Sequence, residues 1–456
     1  MPELIANGPI KQTNLSKRQQ KIAERQRQMA KQNNTNFRKA ERNFKSKAFL
    51  PDMSNVIHFS QLEKNSETNL LKIIPVQLPV NLWELDRDMF EDPNCNLSDK
   101  NNENTKEIHK PFLQKAYTLS DHPGLIVIPN PFKNSGQRRL VKKTLCDWAC
   151  FPNKTNLDPF YNMEIQNSLF EQHVIDSENQ ITNPEYKAPL IKSLFENDES
   201  SFKESKSTTT KKDDTCTTDN TNSGITDIKN LETGENRTKC QTNLAVTQPK
   251  NEFYLQSHNA SDLLDHLRWT TIGNQYNWTT KAYDIDKNIP VHDDLSLLMK
   301  NIIKCIYGAK ITNENGTEQT INAYDFSKYV VQAGVINYYG LDSTLLAHVD
   351  KSEENMDAPL ISISLGCSCI YLVGGDSKQG NLTPILLNSG DIMASCGPSR
   401  TAYHGVPRIF DNSCPSFLTD IENEELDIQQ NQVNWKPFSD YISKHRINFN
   451  ARQCTL

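Results

Sequence analysis

The stretch Asn337-Tyr-Tyr-Gly-Leu-Asp-Ser-Thr-Leu-Leu-Ala-His348-Val-Asp350 decides how the rest of the chain reads. It joins a strand to two metal-binding side chains. Tyr329 to Tyr339 is rich in Val, Ile and Tyr, whose branched or flat side chains fit a pleated surface. His348 and Asp350 stand two positions apart, so extended backbone puts both on one face, about 6–7 Å apart along the chain. An imidazole and a carboxylate so placed hold one borderline metal ion. A second His would complete a two-His, one-carboxylate triad with open coordination positions. Read alone, the pair also fits a turn histidine followed by a capping aspartate.

Downstream the pattern is strand after strand. Ile361 to Val373 reads as one strand, alternating apolar and small polar residues over its first half. Pro384 to Leu387 is a second, Asn388-Ser-Gly-Asp391 a tight turn, and Ile392 to Ser395 a third. Short strands with turn signals at this spacing predict a mainly β fold, a sandwich or jelly-roll barrel with flanking helices. Such folds bring distant strands side by side, so His404 in Thr401-Ala-Tyr-His-Gly-Val-Pro407 can meet His348 and Asp350. By itself His404 also reads as a packed or exposed histidine.

The final segment, His445-Arg446-Ile-Asn448-Phe-Asn450-Ala-Arg452, alternates cleanly. Arg446, Asn448, Asn450 and Arg452 share one face, and Ile447, Phe449 and Ala451 the other. One reading is an edge strand with a solvated polar side. In the other the polar face points into the barrel, where two guanidinium groups need anionic partners. A carboxylate ligand suits the bidentate fork of arginine.

Upstream, residues 1–48 read as a basic tail, disordered or a fraying helix, with Lys and Arg far outnumbering Glu3, Glu24 and Glu41. It fits non-specific phosphate affinity or an organellar or nuclear address. Residues 49–118 read as an irregular extension. Residues 119–186 hold a short strand within Pro123–Phe132 and helical spacing over Leu140–Phe151 and Met163–His173. Residues 187–256 read as a disordered insertion: no Phe, Trp or Tyr stands between Lys203 and Glu252, too little apolar area to offset chain entropy. Order resumes in 257–456, with a strand or hairpin over Leu267–Trp278 and an amphipathic helix over Leu295–Tyr307.

The chain has 456 residues, of which only 36% are hydrophobic, so part of it is not expected to form core. Its net charge of -6 combines a basic N-terminus with an acidic remainder. The 11 cysteines are scattered and odd in number, which suits a reducing compartment better than a disulfide framework. Cys367 and Cys369 read as small buried hydrophobes. No apolar run reaches the roughly 18 residues of a membrane span, and Met1 opens no secretory signal. The expectation is an intracellular protein with no membrane contact, a monomer, in the nucleus, mitochondrion or cytoplasm.

The set Asn337-Tyr-Tyr339, His348-x-Asp350, His404 and Arg446-x-Asn448-x-x-x-Arg452 resembles the AlkB family of iron(II)/2-oxoglutarate dioxygenases, which act on alkylated nucleic acids. Leu341-Asp-Ser-Thr-Leu345, Ser389-Gly-Asp-Ile-Met393, Val406-Pro-Arg408, Leu267-Arg-Trp269, Tyr276-Asn-Trp278 and Ile128-Pro-Asn-Pro-Phe132 bring the match closer to the homologue-one branch of that family. The resemblance spans 120–186 and 257–454. It implies a double-stranded β-helix (jelly-roll) core and an N-terminal nucleotide-recognition lid. It implies His348, Asp350 and His404 as iron ligands. It also implies Asn337, Tyr338, Tyr339, Asn448 and Arg452 as contacts to 2-oxoglutarate, with Arg446 on the distal carboxylate. Trp269, Asn274, Gln275 and Tyr276 fall where the lid meets substrate, and Phe170 where the family has a substrate-side Trp. The implied reaction uses Fe(2+), 2-oxoglutarate and dioxygen to oxidise methyl groups on bases of tRNA or DNA. The alternatives are an oxygenase of protein (histone) side chains and a catalytically inactive nucleic-acid-binding jelly roll. The aromatics of Trp269–Trp278 and the basic tail favour nucleic acid, since flipped bases stack on aromatic rings.

Overall fold

The computed structural model describes residues 34–46, 51–93, 114–196, 249, 251–277, 282–285, 289–421 and 434–456. Its strands in chain order are β1 (Ile57–His58), β2 (Ile73–Pro75), β3 (Tyr117–Leu119), β4 (His122–Ile128), β5 (Trp269–Gly273), β6 (Gln275–Asn277), β7 (Ala282–Asp284), β8 (Lys310–Thr312) and β9 (Glu318–Thr320). There follow β10 (Ala333–Gly340), β11 (Leu345–His348), β12 (Leu360–Gly366), β13 (Cys369–Val373), β14 (Thr383–Leu387), β15 (Ile392–Ser395), β16 (His404–Ile409) and β17 (His445–Arg452). An eight-stranded sheet runs β2-β3-β4-β15-β12-β17-β10-β5, and a five-stranded sheet runs β1-β14-β13-β16-β11. Two hairpins, β6-β7 and β8-β9, stand apart.

Period-two alternation builds the layers. On β17, Ile447, Phe449 and Ala451 join a core with Ile361, Ile363 and Ile392 of neighbouring strands. Helices Asn134–Leu145 and Asp293–Ile306 cover that face with Leu140, Val141, Leu298 and Ile302. The opposite face of the eight-stranded sheet meets the five-stranded sheet: Val127 and Met393 pack with Tyr371, Val373, Ile385 and Val406. On β13, Ile370 and Leu372 point the other way, to an outer cluster with Phe37 and Phe44. The result is a jelly-roll sandwich with helices outside, as the strand spacing predicts. β17 is central, paired with β10 on one side and β12 on the other, so the edge-strand reading is wrong.

Several sequence expectations are corrected. Ile361–Val373 is two strands, because Gly366 takes φ +78, where an added Cβ would sit 2.5 Å from the His445 carbonyl oxygen. The helix expected at Met163–His173 is Leu169–Thr182, started by a capping box between Ser168 and Glu171. The Leu140–Phe151 helix begins earlier and stops at Leu145, before a single 3-10 turn. Residues 49–118, where they are described, supply β1, β2 and the start of β3 between short helical turns. The insertion is shorter than 187–256. Ile191 bridges to His258, and Ser193 Oγ donates to the Tyr254 carbonyl at 2.8 Å. Residues 197–248 lie outside the described residues.

The basic tail is corrected as well. Residues 1–33 lie outside the described residues, but Asn36–Lys45 forms a helix capped by Thr35. Phe37 (0% exposed) and Phe44 (8%) lie on one side of it, packed on the outer face of the five-stranded sheet. Glu41 accepts the Ala347 N–H at 2.7 Å, and the Arg408 guanidinium donates to the Phe44 and Ser46 carbonyls. β11 is the edge of its sheet, and this helix satisfies an edge N–H that would otherwise face solvent. Phe37→Ala is expected to lower the unfolding free energy by about 3–5 kcal/mol, read by denaturant melts. A loss under about 1 kcal/mol, the range of ordinary surface changes, would show that the helix is not part of the core.

Candidate metal centre and ligand cavity

β11 and β16 run antiparallel with His348 and His404 as register partners. Directly opposed residues of such a pair have neighbouring Cβ atoms, and here the two ring centroids are 4.3 Å apart. Asp350 lies two residues past the end of β11, and its Oδ2 is 3.5 Å from His404 Nε2. One potential ligand atom from each of the three residues lies within 4.8 Å of the others, and no other such group occurs among the described residues. His348 Nδ1 is 2.9 Å from the Leu346 carbonyl, and His404 Nδ1 is 3.1 Å from the Ala402 carbonyl. Those acceptors place the ring protons on Nδ1 and leave each Nε2 lone pair free, as a metal site requires. Burial, then the neighbouring His348, pushes the His404 imidazole down to about 4, so it is neutral near pH 7. Burial acts to raise the Asp350 pKa, but the neighbouring Arg452 guanidinium outweighs it and holds the carboxyl well below its usual range. Two imidazole nitrogens and one carboxylate could hold a divalent metal with positions left open.

The triad opens into a cavity of about 730 Å³ between the two sheets. Arg446 lines it, with only 1% of its surface exposed. Its terminal nitrogens donate to neutral groups, the Cys367 carbonyl at 3.3 Å and Ser364 Oγ at 2.6 Å, and Nε has no partner among the described residues. Asp391 is a charged neighbour of Arg446 but not a hydrogen-bond partner: that carboxylate accepts the N–H groups of Asn388 and Asn130 at 2.7 and 3.0 Å. Asn337 opposes Asn448 and Tyr339 opposes Arg446 in the β10-β17 register, and all four line the same cavity. Asn448 Nδ2 donates to Ser362 Oγ at 2.8 Å, which fixes the amide.

Arg452 is placed differently. Its Nη1 donates to Asp350 Oδ1 at 3.3 Å, Glu353 Oε1 at 2.9 Å and the Tyr283 hydroxyl at 3.2 Å, and Nη2 to Asn450 Oδ1 at 2.6 Å. Tyr338 does not reach the cavity. Alternation turns it to the opposite face, where its hydroxyl donates to the Thr144 carbonyl at 2.7 Å. Phe170 likewise does not line this cavity: it is 2% exposed and packs against Phe438 in a tilted arrangement with centroids 4.9 Å apart.

The lid candidates divide. Tyr276 lines the cavity, and its hydroxyl pairs with Ser352 Oγ at 3.0 Å. Trp269 pairs with Asn337 in the β5-β10 register and so shares the cavity-side face of the sheet, half-buried and outside the cavity lining. Asn274 is buried at 6% exposure, and Gln275 Nε2 donates to the Pro152 carbonyl at 3.1 Å, away from the cavity. Trp278 lies outside the described residues.

Sequence reading missed Glu353, Arg400 and Tyr283. The Glu353 side chain is fully buried and meets Arg400 at 2.9 Å and Arg452 at 2.9 Å. Tyr283 donates its hydroxyl to Glu353 at 2.8 Å. In the sequence Glu353 stands among Lys351, Ser352, Glu354 and Asn355, a composition that signals a solvated loop.

Residues 228–452 match the model of the 2OG-Fe(II) oxygenase superfamily. The chain is also similar to proteins named as AlkB homologue 1 and as related demethylases. It is 37% identical over 188 residues to the tRNA demethylase abh1 of Schizosaccharomyces pombe, covering 41% of this chain and 52% of that protein. It is 28% identical over 348 residues to the nucleic acid dioxygenase ALKBH1 of Mus musculus, covering 74% and 66%. To the DNA N(6)-methyladenine demethylase ALKBH1A of Arabidopsis thaliana it is 33% identical over 204 residues, covering 43% and 52%. The matched part thus spans about half to two thirds of these relatives.

His348→Ala and Asp350→Ala are each expected to abolish tight binding of Co2+ at neutral pH while leaving the circular dichroism spectrum unchanged. A variant that still binds Co2+ with wild-type affinity would remove that residue from the metal centre.

Proposed function

We propose that this chain is an iron(II)/2-oxoglutarate-dependent dioxygenase that oxidises methyl groups on bases of nucleic acid. The observation that carries this reading is Arg446: a buried guanidinium with an unpartnered Nε, in the same cavity as a two-His, one-carboxylate cluster. A buried guanidinium that hydrogen-bonds no anion is costly, and a dicarboxylate cosubstrate would supply one. His348, Asp350 and His404 would hold the iron. Arg446 would receive the distal carboxylate of 2-oxoglutarate, with Asn337, Tyr339 and Asn448 as neighbouring contacts. Bound iron(II), with 2-oxoglutarate and dioxygen, supplies the oxidising power and leaves succinate and carbon dioxide. The protein's part is orientation: the Nδ1 bonds aim the imidazoles, the β10-β17 register aims the cosubstrate contacts, and the sandwich limits water.

For substrate, Tyr276 offers a ring at the cavity, beside Ser352 of the ligand-bearing segment. An enzyme acting on a base must take it from its stack, and an aromatic ring replaces part of the lost stacking. The similar proteins are named for tRNA, DNA and general nucleic-acid substrates, and tRNA and unpaired DNA carrying methylated bases are the substrates proposed here. No helix among the described residues is long and apolar enough to cross a membrane.

Succinate and formaldehyde release, measured in parallel with methylated tRNA, bulged methylated DNA, paired duplex and a histone peptide, tests the reading. Release is expected with the first two, and a peptide that outcompetes every nucleic acid would overturn the substrate class. Arg446→Ala is expected to raise the 2-oxoglutarate requirement by a factor worth about 3–5 kcal/mol, the cost of breaking one side of a buried charge pair, with Arg446→Lys recovering only part. An unchanged requirement would place the cosubstrate elsewhere. Tyr276→Ala is expected to slow turnover of methylated tRNA with little effect on 2-oxoglutarate consumption without nucleic acid. Equal loss in both would assign Tyr276 to the fold.

A further inference from the structure

We infer that Glu353 is a positioning residue for the metal centre, acting through Arg452, and that Tyr283 ties the β6-β7 hairpin to the same node. The inference rests on the proposed metal-binding role of Asp350. Glu353 is a fully buried carboxylate and Asp350 a partly buried one, and Arg400 and Arg452 are two buried guanidiniums. Arg452 Nη1 reaches both acids, at 2.9 Å to Glu353 and 3.3 Å to Asp350. Arg400 gives Nη2 to the other oxygen of Glu353 and Nη1 to the Asp350 backbone carbonyl at 2.8 Å. Glu353 therefore takes the closer share of Arg452 and leaves Asp350 the longer contact.

That division has a chemical consequence. Asp350 must offer its oxygens to a cation, and a guanidinium that closed on it would compete for those lone pairs. Without the Glu353 charge, the two guanidiniums would be left with Asp350 alone as a neighbouring acid. Arg452 would shift toward Asp350, because an unpaired buried cation is costly. Outer groups that orient and partition metal ligands in this way are a general part of metal-site design.

The hairpin enters through Tyr283. Its hydroxyl donates to Glu353 Oε1 at 2.8 Å and accepts from Arg452 Nη1 at 3.2 Å. On the partner strand of the hairpin, Tyr276 meets Ser352, the residue before Glu353. The hairpin is thus bonded at two points to the segment that carries Asp350. Moving it would remove a donor from Glu353 and an acceptor from Arg452 together.

The test is Co2+ affinity and the Co(II) visible absorption spectrum of the full chain, for wild type, Glu353→Gln and Tyr283→Phe, each well below its own melting temperature. Glu353→Gln keeps the volume and removes the charge, and is expected to weaken Co2+ binding by about 10–100-fold with an altered Co(II) spectrum. Tyr283→Phe removes only the hydroxyl and is expected to shift affinity several-fold in the same direction. Should Glu353→Gln fail to fold, Tyr283→Phe decides alone. Lower melting temperatures with wild-type Co2+ affinity and spectrum in the folded variants would make the node purely structural and overturn the inference. A wild-type chain that binds no Co2+ would instead overturn the metal reading itself.

Discussion

Two guanidinium groups buried on one face of a central strand constrain everything around them. β17 carries Ile447, Phe449 and Ala451 into the helix-covered core, so its alternate residues Arg446 and Arg452 must face the space between the sheets. Charges there require partners, because desolvation of an unpaired ion outweighs what packing returns. The two arginines meet that demand differently. Arg452 is neutralised within the chain by Asp350 and Glu353. Arg446 bonds only neutral groups and keeps an open nitrogen. One strand thus holds both a closed ion network and a guanidinium with an open nitrogen, and the difference between them separates framework from proposed binding site.

The metal-site candidates depend on a second constraint, the weakness of an edge. β11 pairs with β16 on one side, and its other side would expose unpaired backbone groups. The helix Asn36–Lys45 closes it from far away in sequence, with Glu41 on the Ala347 N–H next to His348. The basic side chains of this segment suggest a solvated tail only when its two phenylalanines are overlooked.

How far the site was legible follows from what alternation can and cannot say. Period two on β17 and the His-x-Asp spacing are local, and they point to side chains that the fold brings to one cavity. The same rule, applied to Asn337-Tyr-Tyr339, should have sent Tyr338 to the opposite face, where it lies. Phe170 was assigned by resemblance alone, and Phe438 and Tyr441 enclose it instead. The helix at Leu169–Thr182 had a readable start in Ser168-Leu-Phe-Glu171. Glu353 and Arg400 were not readable. Their burial exists only because segments remote in sequence deliver opposite charges to one point, and no local pattern records that.

The short run from Asp350 to Glu353 joins the two halves of the proposed chemistry. Asp350 faces the histidines, Ser352 meets Tyr276, and Glu353 meets Tyr283, all within four consecutive residues. A segment this short cannot adjust at one end without the other: its backbone is pinned by Arg400 at the Asp350 carbonyl and by the Cys454 carbonyl at the Glu354 N–H. The hairpin that borders the cavity and the carboxylate that would hold the metal are therefore mechanically one unit.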